Sequence, residues 1–303
     1  MIQTLTVPLE KAGMRIDVFL TEACDMSRSY VQKLLKSQSV TVNGRIVKAS
    51  YQTVPMDDVR VEAPDGVEPE IEAELMDLDI LYEDEDVILI NKPKGMVVHP
   101  AAGHYSGTLV NGLMAHCREQ LSGINGIMRP GIVHRIDMDT TGVLIVCKND
   151  RAHHSIAAQL KEHSVTRRYR AIVHGVIKED RGCVDAPIGR HPADRKKMSV
   201  NEKNGRPAVT HYEVLKRFRQ FTYIECVLET GRTHQIRVHM ASIHHPLLGD
   251  KVYGPERCPF GLQGQTLHAG VLGFVHPGTG KYMEFEAPLP QYFEELLRKL
   301  EGM

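Results

Sequence analysis

The sequence predicts an α+β protein in which a large domain, built on a mainly antiparallel sheet, follows a small N-terminal α/β module. Two features of the chain support this fold class. Near the N-terminus, two short helical patterns lead into a hairpin signal, and from about residue 87 strand-like segments bounded by turns outnumber helical ones. The length of 303 residues is sufficient for two domains.

The N-terminal module is predicted from residues 15–44. RIDVFLTEA carries apolar residues at helical spacing, Ser27 is expected to cap a second helix, SRSYVQKLLKS, and SVTVNGRIV alternates around Asn43-Gly44, a typical hairpin turn. Basic residues lie on the second helix and on the hairpin: Arg28, Lys33, Lys36 and Arg45. This basic face fits a nucleic-acid-binding module, although such a face alone is more often solvated surface.

Charge is distributed unevenly along the chain. Residues 51–90 contain 14 acidic residues and one basic residue, which leaves 36 basic and 24 acidic residues elsewhere. A basic excess outside one acidic segment favours binding to a polyanion. We therefore predict an N-terminal domain over 1–66, an acidic linker over 67–86 and a second domain over 87–303.

The second domain is predicted from alternating strand-like segments. They are DVILINKPKG, GVLIVCKN, RRYRAIVHG, FTYIECVLETG and TLHAGVLGFVHPGTG, whereas helical patterns are limited mainly to RAHHSIAAQLKEH and PQYFEELLRKLEG. A strand-rich chain with a minority of helices indicates a largely antiparallel sheet flanked by helices and loops.

Several classes of protein are disfavoured. No apolar run approaches the roughly 18 residues of a membrane span, and the N-terminus does not resemble a secretory signal. The six cysteines lie at least 30 positions apart, which favours reduced thiols and a cytoplasmic protein. Nucleotide-binding glycine motifs and HExxH are absent, and His234, His239 and His244 are wrongly spaced for one helical face. We therefore expect neither a cofactor nor a metal.

Three polar stretches are candidates for chemistry. Asp137 and Asp139 precede a Thr-Thr-Gly turn and a buried strand, where a carboxylate is either catalytic or simply caps the turn. LETGRTHQIRVH places Arg232 beside a glycine turn, suited to an ion pair or a phosphate contact. Tyr169 lies among three arginines in RRYR, as a stacking platform or as part of an edge strand.

Together these stretches resemble the RluA family of pseudouridine synthases. HRIDMDTTG (134–142), NKPKGMVVHP (91–100), THQIRVH with PLLGDKVYG (246–254), and LHAGVLGFVHP with FEAPLP (285–290) are similar to its motifs. APIGRHPADRKKMSV (186–200) resembles the RluD-type enzymes that act on large-subunit ribosomal RNA. His244 stands where that family usually has glycine.

The N-terminal module is similar to the alpha-L RNA-binding domain that is named after a small-subunit ribosomal protein. The similarity lies in R-x-D-x-x-L, S-R-S and V-x-V-N-G. Gln38 stands where that module usually has glycine, which puts the local turn in question if the position needs a positive φ.

The resemblance implies a pseudouridine synthase fold and a cofactor-free isomerisation of uridine to pseudouridine in RNA. Asp137 matches the aspartate that attacks the ribose C1′ or assists formation of a glycal, and Tyr169 matches the tyrosine that stacks on the base. Arg232 matches the arginine that pairs with the aspartate, and Arg135 the residue that replaces the flipped nucleotide. Further RNA contacts are expected from His134, Lys196 and Lys197, together with the basic residues of the N-terminal module.

Two alternatives remain at this stage. A non-catalytic RNA-binding or ribosome-assembly factor would explain the charge but would not require Asp137, Tyr169 and Arg232 together. A sugar hydrolase would need a second carboxylate, for which Asp139 is the nearest candidate. We expect a monomer that binds RNA and no membrane; which uridines are modified does not follow from the sequence.

Overall fold

The structure is a computed structural model that describes residues 2–24, 28–62, 71–100, 104–118, 120–124, 129–194 and 197–303. The chain forms two compact units, Met1–Pro69 and Glu70–Met303. Each unit has hydrophobic clusters made only of its own residues.

In the part of the first unit that the structure describes, there are four strands and two helices. They are β1 (Ile2–Thr6), α1 (Ile16–Ala23), α2 (Arg28–Lys36), β2 (Val40–Val42), β3 (Arg45–Ile46) and β4 (Asp58–Glu62), after a 3₁₀ turn at Leu9–Lys11. The antiparallel sheet has the order β1-β4-β2-β3. Asn43 and Gly44 both have positive φ, as their two-residue hairpin requires, so this prediction is confirmed. Gln38 adopts a φ of 62° at the position where the related module has glycine. The expected cap residue Ser27 lies outside the described residues.

The described residues of the second unit form eleven strands. They are β5 (Ile80–Glu83), β6 (Val87–Lys92), β7 (Thr141–Cys147), β8 (Thr166–His174), β9 (Arg181–Asp185), β10 (Ile188–Arg190), β11 (Met198–Val200), β12 (Val209–Arg217), β13 (Phe221–Leu228), β14 (Leu267–Val275) and β15 (Tyr282–Glu286). Nine form one sheet of order β5-β6-β7-β14-β8-β13-β12-β9, with β15 beside β14, while β10 and β11 form a hairpin. In the described sheet only β7 and β14 pair in parallel, so the predicted α+β class with a largely antiparallel sheet is confirmed.

Helices flank this sheet. They are α3 (Leu109–Cys117), α4 (Asp150–Lys161), α5 (Gln235–Ser242) and α6 (Gln291–Glu301), and a 3₁₀ turn covers Pro259–Gly261. Within the described ranges, no helix has the length and apolar character needed to span a membrane.

The acidic segment differs from the prediction of a linker that continues to residue 86. Its described part belongs to the second unit, where β5 pairs with β6. Ile71, Leu78 and Ile80 pack against the main hydrophobic core of that unit. The acidic residues alternate with these apolar ones. The acidic composition alone therefore predicts a linker where the chain forms a strand and the segment that leads into it.

β7 fixes the position of the functional loop that precedes it. All seven residues of β7 are buried, and they contribute to hydrophobic clusters on both faces of the sheet. Gly142 has a φ of 107°, and a Cβ atom there would lie 2.2 Å from the carbonyl oxygen of Ala269 on β14. Only glycine permits this approach of the two backbones, which places the residues before Thr141 at the edge of a rigid strand pair.

Candidate active site

The loop that carries Asp137 is held by backbone contacts. The Thr140 N–H donates to the Asp137 carbonyl oxygen at 3.0 Å. Lys92, fully buried at the end of β6, donates from Nζ to the carbonyl oxygens of Pro93, Met96 and Met138 at 2.8, 2.8 and 2.9 Å. Burial lowers the pKa of Lys92 to about 7, while the nearby carboxylates of Asp139 and Asp137 act in the opposite direction. The carbonyl group next to Asp137 is thereby tied to the central sheet.

The Asp137 carboxylate is the outer end of a chain of three charged groups. Arg237 donates from Nη1 to Asp137 Oδ2 at 2.9 Å, and from Nε and Nη2 to the carboxylate of Asp250 at 2.7 and 3.0 Å. The Asp250 side chain is fully buried, whereas that of Asp137 is 26% exposed. Burial lowers the pKa of Arg237, but the bonds and charges of Asp250 and Asp137 outweigh this effect and raise it. Asp137 is therefore oriented by a permanently charged, bidentately held guanidinium.

The partner predicted for Asp137 is wrong in the structure. Arg232 donates from Nε to the Pro207 carbonyl oxygen at 3.0 Å, and Arg237 takes the place beside Asp137. Arg232 lies in the turn before α5, while Arg237 lies on the buried part of that helix. The signal in the sequence is the acid Asp250 after the apolar segment PLLG, because an acid that becomes buried needs a cationic partner.

His234 was missed as a residue of this site. It is the residue before the first turn of α5, with a φ of 57°, and its Nε2 lies 3.8 Å from Asp137 Oδ1. The Met198 N–H donates to the Tyr253 hydroxyl oxygen at 2.9 Å, so the hydroxyl proton can be donated to His234 Nδ1, 2.8 Å away. Burial lowers the pKa of His234, although Asp137 opposes this, which favours a neutral imidazole with its proton on Nε2.

Two cavities meet at Asp137. The first, of about 350 Å³, is lined by Val97, Ile136 and Met138 among others, and the second, of about 430 Å³, by Tyr169 and Arg232 among others. Both are lined by Arg135, Asp137, Thr233 and His234. The exposed Arg135 donates from Nη2 to Thr233 Oγ1 at 3.4 Å. The structure thus brings Tyr169, Arg135 and Arg232 to the same cavity as Asp137, and none of these three described residues bonds to it directly.

Tyr169 forms part of the wall of the second cavity. It lies on β8 between Ala269 of β14 and Cys226 of β13, and it is 9% exposed. Burial raises the pKa of Tyr169 despite the opposing charge of Arg167, so its hydroxyl is protonated at neutral pH.

His134 lines the second cavity and also holds the loop that carries Asp137. Its Nε2 accepts the Ile145 N–H at 3.1 Å, which fastens the loop to β7. Burial, with a smaller effect of Arg167, lowers its pKa to about 3, so the imidazole is neutral. His134 is thus an anchor of the loop, and because it also lines the second cavity, its contact with RNA stays a prediction.

The remaining predicted RNA contacts have separate positions. Lys36 and Arg45 are exposed on the first unit, and Lys197 is half-buried beside the β10–β11 hairpin. The side chains of Arg28 and Lys33, and all of Lys196, lie outside the described residues. The structure describes no group of three or more His, Cys, Asp or Glu residues, within its ranges, that could hold a metal ion.

Comparison with known proteins identifies the family. A family model described as RNA pseudouridylate synthase matches residues 86–242, and one described as the S4 domain matches residues 14–59. The chain belongs to the RNA pseudouridylate synthase family. It is an enzyme, an isomerase that forms pseudouridine in RNA, and the RluA-type identification with an N-terminal S4 domain is confirmed.

Relatives and solved structures agree with this identification. An uncharacterized RNA pseudouridine synthase of Bacillus subtilis, YlyB, is 57% identical over 98% of this chain and 97% of its own. The ribosomal large subunit pseudouridine synthase D of Zymomonas mobilis is 44% identical over 98% of this chain and 97% of its own. The solved structure of human RNA pseudouridylate synthase domain containing 1 is 25% identical, covers 76% of this chain and 97% of its own, and has a TM-score of 0.57.

Proposed function

We propose that this enzyme isomerises particular uridines of large-subunit ribosomal RNA and that Asp137 is its catalytic carboxylate. The observation that carries the assignment is the position of Asp137, which lines both cavities and is held by Arg237 at 2.9 Å. Among the described residues, it is the one carboxylate that lines the cavity of Tyr169. The RNA class is supported by relatives named for the ribosomal large subunit, such as the Zymomonas mobilis protein.

The proposed chemistry takes place at the ribose of the target uridine. A carboxylate stabilises positive charge at an anomeric carbon or attacks it, as in retaining glycosidases. The bond from C1′ to the base nitrogen breaks, the uracil turns, and a bond forms from C1′ to C5. The proton of C5 is lost and the released nitrogen gains one, so the reaction is an isomerisation without a cofactor.

The cavity of Tyr169 suits a base that has left its stack. Its wall combines the buried Tyr169 ring with Leu228 and the cationic side chains of Arg167 and Arg232. An aromatic face is a sequence-independent platform for a nucleobase. Arg135, exposed at the junction of the two cavities, is positioned to occupy the space that the flipped nucleotide leaves. Flipping costs a few kcal/mol and least in a loop, so we expect a weakly paired uridine.

The test is the substitution Asp137→Asn, with Asp139→Asn as its matched control two residues away. An amide keeps the size of the carboxylate but neither attacks C1′ well nor offsets positive charge there. Single-turnover pseudouridine formation should therefore fall by several powers of ten in Asp137→Asn and far less in Asp139→Asn. The affinity for RNA, measured by filter binding, should stay similar or rise, since one negative charge is lost.

Two results would contradict this proposal. If Asp139→Asn abolished turnover while Asp137→Asn did not, the wrong carboxylate has been assigned. If cells that lack the enzyme kept every pseudouridine of their large-subunit ribosomal RNA, the substrate class would be wrong even if Asp137 were catalytic.

A further inference from the structure

The three arginines around Tyr169 on β8 have different electrostatic surroundings. Arg168 pairs with Glu284 at 2.6 Å, and Arg170 pairs with Glu225 at 3.1 Å, both on partly exposed positions of the strand. Arg167 and Tyr169 are the buried positions of the same alternation. The two solvent-side guanidinium groups are neutralised, and the buried one is on the side of the cavity.

Arg167 has a buried charge with few partners. Arg167 is only 7% exposed, and its Nη2 donates to the Glu229 carbonyl oxygen at 3.1 Å. Its Nε has no hydrogen-bond partner, and none of the described carboxylates forms an ion pair with it. A buried guanidinium without a counter-ion is costly for the folded protein, and an anion that binds from outside would offset this cost.

The glycine turn before α5 gives this guanidinium its room. A Cβ atom on Gly231 would lie 2.6 Å from Arg167 Nη1, so a larger residue would displace the guanidinium. Gly231 and Arg167 both line the second cavity. The guanidinium is thus held beside the cavity by β8, by the Glu229 carbonyl and by an open glycine turn.

Charge in the second cavity is strongly asymmetric. Its lining includes the cationic side chains of Arg135, Lys161, Arg167 and Arg232, and Asp137 is the one carboxylate among its described lining residues. Asp137 is already paired with Arg237, which does not line this cavity. In the first cavity, by contrast, two arginines meet the two carboxylates of Asp137 and Asp139. An anion is therefore favoured on the Tyr169 side and not on the other.

We propose that Arg167 is a buried receptor for one phosphodiester group of the RNA, next to the uridine that enters the Tyr169 cavity. This inference rests on the proposed function, because it requires a uridine in that cavity. The anions of RNA are its phosphates, and the planar fork of arginine matches their oxygens. Arg167 then reads the backbone of the flipped nucleotide and pulls it inward, while Tyr169 contacts the base.

The test compares Arg167→Met with Arg168→Met. The two changes remove one cation each, from adjacent residues of β8. Arg167 lines the second cavity and has no carboxylate partner among the described residues, whereas Arg168 is paired with Glu284. Using transcribed large-subunit ribosomal RNA as the probe, Arg167→Met should bind roughly tenfold more weakly. The slope of log affinity against log salt should fall by roughly 0.7 to 0.9, the value for one lost phosphate contact. Arg168→Met, whose cation is already paired, should change the affinity by less than about twofold and leave the slope unchanged.

A second measurement locates the contacted phosphate along the RNA, in the wild type and in Arg167→Met. Oligonucleotides around a mapped target uridine carry one neutral methylphosphonate at each position in turn. One such substitution should weaken binding by wild type and have no further effect in Arg167→Met. If no single phosphate couples to Arg167, or if Arg167→Met and Arg168→Met have the same salt slope, the proposal is overturned.

Folding and free anions give two further checks. Arg167→Met should not lower the melting temperature, because methionine removes an unpaired buried charge and keeps the packing volume; a substantial decrease would indicate a structural role instead. Stabilisation of the wild type by inorganic phosphate as strong as that by RNA would mean a free-phosphate site. The phosphate proposal and the catalytic assignment of Asp137 can fail separately. If the phosphate proposal holds, RNA binding by Asp137→Asn depends on the same phosphate as binding by the wild type, whatever its turnover.

Discussion

Asp137 is oriented by the buried Arg237 and not by Arg232, which lines the second cavity. Arg237 contacts the fully buried Asp250 with two nitrogens and Asp137 with a third. The bidentate contact fixes the plane of the guanidinium, and this plane in turn fixes the Asp137 carboxylate. The sequence contained both arginines of TGRTHQIR, but their spacing alone did not show which one the start of α5 turns toward Asp137.

We predict that Arg237→Lys lowers single-turnover pseudouridine formation by at least about a hundredfold, because lysine keeps the charge but cannot hold Asp250 and Asp137 at once. Arg232→Lys is the control, since Arg232 bonds to the Pro207 carbonyl oxygen. It should reduce turnover much less. Equal losses in the two variants would contradict the assignment of Arg237 as the partner of Asp137.

We further predict that Tyr253→Phe alters the pH dependence of turnover while leaving RNA affinity unchanged. The lost hydroxyl is positioned to donate to His234 Nδ1 and thereby to favour the tautomer with its proton on Nε2, toward Asp137, so its removal takes away this preference. The measurement is single-turnover rate against pH. Tyr82→Phe removes a hydroxyl that donates to Asp84, and neither residue lines a cavity, so this variant should keep the wild-type profile.

At the scale of elements, the loop before β7 is anchored by a histidine that is neutral in the folded state. The pKa of His134 is about 3, against about 6.5 in an unfolded chain. Between these values the unfolded chain binds a proton that the folded one does not. Acidification through this window therefore lowers the free energy of unfolding, by up to about 1.4 kcal/mol per pH unit.

We predict that His134→Gln removes this part of the acid sensitivity. Glutamine can still accept the Ile145 N–H, so the variant should be slightly less stable than wild type near pH 7. The difference should shrink or reverse near pH 5, as measured by urea unfolding. His99, with a pKa lowered by burial to about 4, is present in both proteins and cancels in the comparison. Parallel stability curves for the two proteins would show that His134 does not titrate between the states.

Periodicity predicted the elements better than charge did. The hairpin at Asn43-Gly44 and the helical spacing of Ile16 and Leu20 were readable because local geometry decides them. The acidic charge of residues 67–86 predicts a linker, whereas the alternate apolar positions Leu78 and Ile80 lead into the strand β5. Whether an acidic, alternating segment forms a strand depends on an open sheet edge, here that of β6, which the sequence does not display.

At the scale of the whole molecule, the two units have independent hydrophobic cores. We predict that removing residues 1–69 leaves the second unit folded, with weaker RNA binding and a flatter dependence of affinity on salt. The removed unit carries exposed cations such as Lys36 and Arg45, which would neutralise phosphates. Circular dichroism and filter binding at several salt concentrations measure the two effects. An unchanged slope would mean that the basic residues of the first unit are solvated surface without a role in RNA binding.

The exposed side chain of Met138 has a consequence for how this enzyme can change in evolution. Met138 directly follows Asp137 and is 41% exposed. Lys92 Nζ and the Gly95 N–H both donate to its carbonyl oxygen, and these described bonds do not involve its side chain. Every amino acid has that oxygen. A different side chain at position 138 would therefore keep the bonds that hold the loop beside Asp137 while it changes the lining of the first cavity.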